Sequence, residues 1–258
     1  MAQAERHGTQ TIERAVLVLK ELAARGSIGW RLLDLATSCE LDRGTTHRIL
    51  GCLVRERLVS QRITDRRYVP GPLLFELGLS FPALLAFQFA CAAPLGRVTK
   101  RLGGVSLLYL RSGTEFVCAA RSGNLQMNAL TIDVGTRRPL ITSVAGAAIL
   151  IALPKGEARE IVADNIKQLR RFGAARVRAL RRMVRQSQTC GYGISQSGIV
   201  PGVSAFAVPV RDAHETPFAA ISVVGPSESF PSARIADVIA MLEHEAHAIG
   251  REALRILG

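Results

Sequence analysis

Between Asp42 and Leu53 the chain reads Arg43-Gly44-Thr45-Thr46-His47-Arg48-Ile49-Leu50-Gly51-Cys52, a stretch rich in side chains suited to recognising a polyanion. Guanidinium groups donate in a planar fork that fits phosphate oxygens and the outer edge of guanine, while hydroxyls and an imidazole reach phosphate or base. Wound as a helix, the stretch puts Arg43, Gly44, His47 and Arg48 on one side and Thr46, Ile49, Leu50 and Leu53 on the other. The first side is basic, small and polar; the second is a stripe that docks the helix onto its neighbours. Such a helix has the dimensions and donors to enter the major groove of B-form DNA. The candidate DNA contacts here are Arg43, Gly44, Thr45, Thr46, His47 and Arg48. Thr46 stands in both sets, as a contact or as a half-buried anchor.

A groove-reading helix must be held by others. Leu32–Thr37 predicts a short helix just before it, with a tight turn at Ser38-Cys39-Glu40. Thr11 is placed to cap an earlier helix whose stripe is Ile12, Ala15, Val16, Leu19, Leu22 and Ala23, ended by Arg25-Gly26-Ser27. These make a three-helix core. Leu58–Ile63 and Arg66–Val69 then read as two strands around a turn at Thr64-Asp65, closed by Pro70-Gly71-Pro72. This hairpin is a wing, with Arg62, Arg66 and Arg67 near its tip, where phosphates or a minor groove come within reach. From Arg43 to Gly71 seven arginines stand against only Glu56 and Asp65, which favours a DNA-facing surface over a merely solvated hairpin.

Leu73–Leu79 and Ala83–Leu102 continue as helices whose exposed Leu and Phe content suits pairing with a second copy. From Val105 the period changes to that of strands: Val105–Leu110, Glu115–Ala120, Leu125–Ile132, Tyr192–Ser195, Val203–Arg211 and Phe218–Val224. Thr142–Ala152, Gly156–Asp164, Ala174–Gln188 and a long closing segment, Pro231–Ile256, read as helices. The expected class is α+β, with a curved antiparallel sheet flanked by helices.

Composition narrows the function classes. The chain has 258 residues, of which 48% are hydrophobic, and a formal charge of +12, so it can bury a core and favours a polyanionic partner. Residues 1–80 hold 12 basic and 9 acidic side chains, leaving 21 and 12 for the remainder; overall charge therefore does not locate the nucleic-acid site. The run Lys167, Arg170, Arg171, Arg176, Arg178, Arg181, Arg182 and Arg185 contains no acid. It reads either as a solvated helix face or as a second contact with DNA or an acidic partner. Five scattered cysteines with no Cys-x-x-Cys spacing indicate neither a disulfide framework nor a zinc site, in keeping with a cytoplasmic protein. Phe81–Leu95, the most apolar run, is interrupted by Pro82, Gln88 and Pro94, so no membrane span is expected.

Catalytic signatures fail on inspection. His244-Glu245-Ala246-His247 is one residue short of a zinc-protease motif. Gly191-Tyr192-Gly193 lacks the third glycine of a dinucleotide loop, and Gly193-Ile194-Ser195-Gln196-Ser197 lacks the closing glycine of a nucleophile elbow. No catalytic residue, metal or cofactor is expected.

Laid out in this order, the chain resembles the IclR family of bacterial transcriptional regulators from about Gln10 to its end. The likeness is carried by Ile12-Glu13-Arg14-Ala15, by Leu41–Leu53 around Thr45-Thr46-His47-Arg48, and by Tyr68-Val69-Pro70-Gly71-Pro72 running on to Gly78. Gly202–Val210 and Ala219–Pro226 complete it. The resemblance implies a winged helix-turn-helix domain over residues 10–71, linker helices over 72–102, and a GAF-like effector-binding domain over 103–258. It further implies a homo-oligomer, a dimer or dimer of dimers, that binds double-stranded DNA at a palindromic operator, with RNA polymerase as a further partner. A single recognition helix covers only a half-site, so a specific operator independently demands two copies. The competing class is a sensor or enzyme whose winged helix binds protein.

Carried over position by position, the family's effector pocket falls on Met127 and Leu130, on Val144 and Ala145, and on Ser195, Val203, Ala205, Ser222 and Val224. This chain departs from its relatives in both sites. Glu40 stands where a turn glycine is usual and Gly44 where a serine is usual. Ile141 replaces a histidine and Ala147 a lysine, and Ser195, Ala205 and Val224 replace an acid, a thiol and a hydroxyl. Removing polar groups disfavours a small buried anion, so the expected effector is an apolar or aromatic acid metabolite rather than a small keto acid.

Overall fold

The computed structural model describes residues 5–124 and 132–258. They form two compact units, residues 5–82 with the short stretch 135–137, and residues 83–124 and 132–134 with 138–258.

In the first unit, α1 (Glu5–Arg25) precedes α2 (Leu32–Ser38) and α3 (Arg43–Arg55). The hairpin of β1 (Val59–Gln61) and β2 (Tyr68–Pro70) follows, and then α4 (Pro72–Gly78). Val18, Leu22, Leu35, Ile49, Leu50, Leu53, Val59 and Tyr68 form its core. The turn between α2 and α3 puts Glu40 at φ 54°, a left-handed conformation that strains a residue with a Cβ. Trp30 ties helices to hairpin: its indole donates to Glu21 O at 2.7 Å and its backbone exchanges hydrogen bonds with Tyr68.

Two expectations for α1 are corrected. The helix is already formed at Glu5, well before Thr11. Among its described side chains Val18 and Leu22 are the buried ones, while Ile12 and Val16 are 65% and 43% exposed. The short α2, α3 and hairpin contact only the C-terminal half of so long a helix, so periodicity along its N-terminal half marks an apolar face without a partner in this unit.

The second unit begins with α5 (Pro82–Ala90), which starts at the boundary, and α6 (Ala92–Leu102). The single helix expected over 83–102 is broken at Cys91, and Pro94 sits in the first turn of α6, where its missing N–H costs nothing. Strands β3 (Val105–Ser112) and β4 (Glu115–Ser122) lead to the short β5 (Arg137–Pro139), which has no apolar alternation to announce it. Helices α7 (Val144–Ala152), α8 (Lys155–Leu169) and α9 (Ala174–Cys190) follow. The chain ends with β6 (Gly193–Gln196), β7 (Val203–Arg211), β8 (Pro217–Pro226) and α10 (Ile235–Leu257). The strand expected over 125–132 lies almost wholly outside the described residues.

The six strands form one curved sheet in the order β5-β4-β3-β8-β7-β6, with antiparallel pairing along β4-β3-β8-β7-β6. Alternation along each strand sorts its side chains. Val105, Leu107, Tyr109, Val203, Ala207, Ala220 and Val224 pack with α7, α8 and α9. Leu108, Phe206, Val208, Ile221 and Val223 pack with α5, α6 and α10. The buried Glu245 of α10 accepts from Arg97 of α6 at 2.8 and 2.6 Å, which pins these two helices together. The fold is therefore α+β as expected, a helix-turn-helix unit followed by a curled antiparallel sheet with helices.

Candidate nucleic-acid interface and effector pocket

The first site is built from the start of α3. Asp42 caps the helix by accepting from Thr45 N at 2.8 Å, and its bonds to Thr45 hold the carboxyl below the usual carboxylate range. Arg43, Gly44, His47 and Arg48 are exposed on one side, and Thr45 is partly so. Arg48 donates to the Thr45 hydroxyl at 3.2 Å, which orients its guanidinium along the helix. Gly51 and Arg55 extend the exposed face by one and two turns. Thr46 is fully buried, its hydroxyl donating to Asp42 O at 2.9 Å. That corrects its place among outward-facing side chains: it closes the cap from inside.

The wing also sorts its three arginines. Arg62 donates to both carboxylate oxygens of Asp65, at 3.1 and 2.8 Å, and to the carbonyls of Ser27 and Ile28 at 2.8 and 3.1 Å. These bonds draw the Asp65 carboxyl below its ordinary range. Arg67 donates to Gly29 O at 3.2 Å. Both fasten the hairpin to the segment before α2. Arg66, at φ 59°, is exposed, and its guanidinium makes no hydrogen bond among the described residues. Arg43, His47 and Arg66 meet Arg31, Asp34 and Gln61 around a shallow cleft of about 480 Å³. Arg31, exposed at the N-terminus of α2, escaped the sequence reading because it belongs to no periodic face; its position directly before a helix was the available signal.

The second site lies on the α7 face of the sheet. Ser195, Ala205 and Val224 stand side by side across β6, β7 and β8, and Ser222 pairs with Ala207 and Leu107 one step along. Val203 occupies the same face of β7, and Val144 and Ala145 cover it from the start of α7. A Cβ on Gly193 would fall 2.0 Å from Val144 O, so glycine is what lets α7 approach β6 so closely. Met127 and Leu130 lie outside the described residues. Ile141 and Ala147 are buried in the same hydrocarbon cluster as Val144, Ala145, Val203 and Val224.

Polar groups enter from β3, β4 and β5. The Ser222 hydroxyl is buried with no partner of hydrogen-bond geometry among the described residues. The phenol of Tyr109 faces it, held neutral mainly by burial, and its ring meets Phe116 edge-on at 4.9 Å. Burial pushes the Cys118 thiol up to about 12 and pulls Arg138 below the ordinary guanidinium value. Arg121, close to Tyr109, pairs with Asp133 at 2.5 Å. Tyr109, Phe116 and Arg138 were missed because they come from the other half of the sheet. A tyrosine inside the otherwise aliphatic run Val105–Leu110 was the signal.

Residues 11–62 match the model of the IclR helix-turn-helix domain, and residues 89–251 match that of the bacterial transcriptional regulator IclR C-terminal domain. The HTH-type transcriptional repressor AllR of Klebsiella pneumoniae is 28% identical over 235 residues, covering 85% of this chain and 81% of its own. The fold is shared with an IclR transcriptional regulator of Alicyclobacillus acidocaldarius, at TM-score 0.69 and 21% identity over 95% of this chain and 98% of that one. It is shared too with an IclR homologue of Microbacterium hydrocarbonoxydans, solved as a complex with 4-hydroxybenzoate, at TM-score 0.65 and 22% identity over 94% and 98%. No single described helix is long and apolar enough to cross a membrane.

Proposed function

The chain belongs to the IclR family of bacterial transcriptional regulators, with a helix-turn-helix domain and an effector-binding domain, and from that premise we propose how its two sites work. As a dimer or dimer of dimers in the cytoplasm, it binds a palindromic operator. Arg43, Gly44, Thr45, His47 and Arg48 face the major groove, and Arg66 reaches a phosphate. Arg62 and Arg67 act indirectly, by holding the wing in place. The observation that carries this reading is the sorting of α3, which buries Thr46, Ile49, Leu50 and Leu53 and leaves a continuous cationic face with two glycines, Gly44 and Gly51, where backbone and bases can approach closely. Pairing is supported by apolar side chains exposed in the single chain, Ile12, Val16 and Leu17 on α1 and Phe75 and Leu77 on α4.

The effector in this reading is an aromatic acid. Ile141, Ala147, Val144 and Val224 supply hydrocarbon, Phe116 and Tyr109 supply ring edges, and Arg138 supplies a charge for the carboxylate. The buried Ser222 hydroxyl, which the Tyr109 phenol faces, gives a ligand hydroxyl or carboxylate oxygen a partner. Fluorescence anisotropy on promoter DNA flanking the protein's own coding region, set against random duplex, tests the first site. The expected result is a salt-sensitive, sequence-selective complex; association indifferent to both salt and sequence refutes it. Thermal shift with benzoate-type acids against glyoxylate and pyruvate tests the second, and stabilisation by the keto acids alone counts against an aromatic ligand.

A further inference from the structure

Helix α9 carries an unbalanced charge that neither site uses. Between Asp164 and Asp212 the chain has no carboxylate side chain but nine lysines and arginines. Arg178, Arg181, Arg182 and Arg185 recur at i, i+3, i+4 and i+7 and are all exposed, so they share one face. The opposite face buries Leu180, Met183, Val184 and Ser187 into the domain core. None of the four arginines has an ion-pair partner among the described residues.

A solvated helix face normally alternates charge, because like charges three or four residues apart weaken the helix. Here four such pairs are stacked, 178–181, 178–182, 181–185 and 182–185, with no acidic residue in the first turn to offset the helix dipole. A bound polyanion removes that repulsion. We propose that this face of α9 is a second binding surface, for the phosphates of duplex DNA. The stripe spans about 10 Å of helix, and DNA offers a charge every ~1.7 Å of its axis, so one duplex can engage several of the four at once. All four are arginines, whose fork matches phosphate geometry. The stripe itself contains no large apolar side chain, which separates it from helices that bury a hydrophobic face in a lipid surface.

The test compares the full-length protein with its R178A/R181A/R182A/R185A variant on a long random-sequence duplex that lacks any operator, between about 50 and 200 mM salt. Each phosphate contact contributes about 0.9 to the slope of log affinity against log salt. The wild type is expected to lose about ten-fold more affinity than the variant across that range if two arginines engage, and about a hundred-fold more if all four do. A variant with lysine at all four positions should keep most of the slope, since the effect counts charges. Alanine favours helix, so the alanine variant is expected to retain its circular dichroism. Equal slopes for wild type and alanine variant overturn the proposal. So does a polyglutamate probe that binds the wild type alone while DNA binding is unchanged, which would make the partner an acidic protein. The duplex holds no operator, so failure of sequence-specific reading by α3 would appear separately and would leave this test intact.

Discussion

Arg62→Ala and Arg66→Ala should have different consequences, although the two arginines lie four residues apart on one hairpin. Arg62 makes four hydrogen bonds inside the unit, two to Asp65 and two to the carbonyls of Ser27 and Ile28. Removing it costs the equivalent of one to two net hydrogen bonds at a partly solvated site, a shift on the order of ten-fold in the local opening equilibrium. The amides of Arg62, Arg66 and Arg67, which bond to Arg67 O, Arg62 O and Asp65 Oδ1, should exchange with deuterium about ten-fold faster, with those of α3 unchanged. Arg62→Lys should not rescue them, because one ammonium cannot reproduce the fork. Arg66 has no such bonds, so its loss should leave exchange unaltered. Instead it should remove one phosphate contact per protomer, flattening the salt slope on a two-fold operator by about 1.8. Hydrogen exchange by mass spectrometry and anisotropy titrations read the two effects separately. If Arg62→Ala leaves wing exchange unchanged and flattens the salt slope as Arg66→Ala does, the division into fastening and contacting arginines is wrong.

Three further outcomes follow from the same geometry. Gly44→Ser should leave the unfolding free energy nearly unchanged, because the gain of roughly 0.5 kcal/mol from replacing a helical glycine is offset by a Cβ that meets Asp42 Oδ1, the acceptor of the helix cap, at 3.3 Å; urea melts check the stability, and tighter operator binding is expected from the added hydroxyl. Ser222→Ala should leave the stability of the ligand-free protein within about 1 kcal/mol of wild type, because it deletes a buried hydroxyl but also the group that the buried Tyr109 phenol faces, and it should shrink the thermal shift produced by benzoate-type acids; an unchanged thermal shift would count against a ligand contact at Ser222. Burial carries the thiols of Cys91 and Cys118 from the ordinary 9.0 to about 12. The folded value lies above the unfolded one, so the stability they contribute is full below pH 9.0 and is lost as pH climbs towards 12. Denaturant midpoints across that window should fall less steeply in a Cys91→Ala/Cys118→Ala variant.

Much of this protein was legible before any coordinates. The apolar stripe Thr46, Ile49, Leu50 and Leu53 implied both the helix and its buried side, and the alternation in Val105–Leu110 and Val203–Arg211 implied strands, because spacing along one element decides which side chains share a face. The basic run around Lys167–Arg185 was visible, and so were Glu40 in a strained turn and the glycine at 44. Tertiary structure decided what happens between elements. It left Ile12 and Val16 exposed, since a stripe records an apolar face and not whether anything in the same chain covers it. It turned Arg62 and Arg67 inward to carbonyls more than thirty residues away in sequence, and left Arg66 outward, although all three look alike in the sequence. It also put Tyr109 opposite Ser222 and brought Ser195 into register with Ala205 and Val224. Such neighbours are created by strand order, and strand order is set by how two sheet faces bury their hydrocarbon at once, a property of the whole chain that no local window contains.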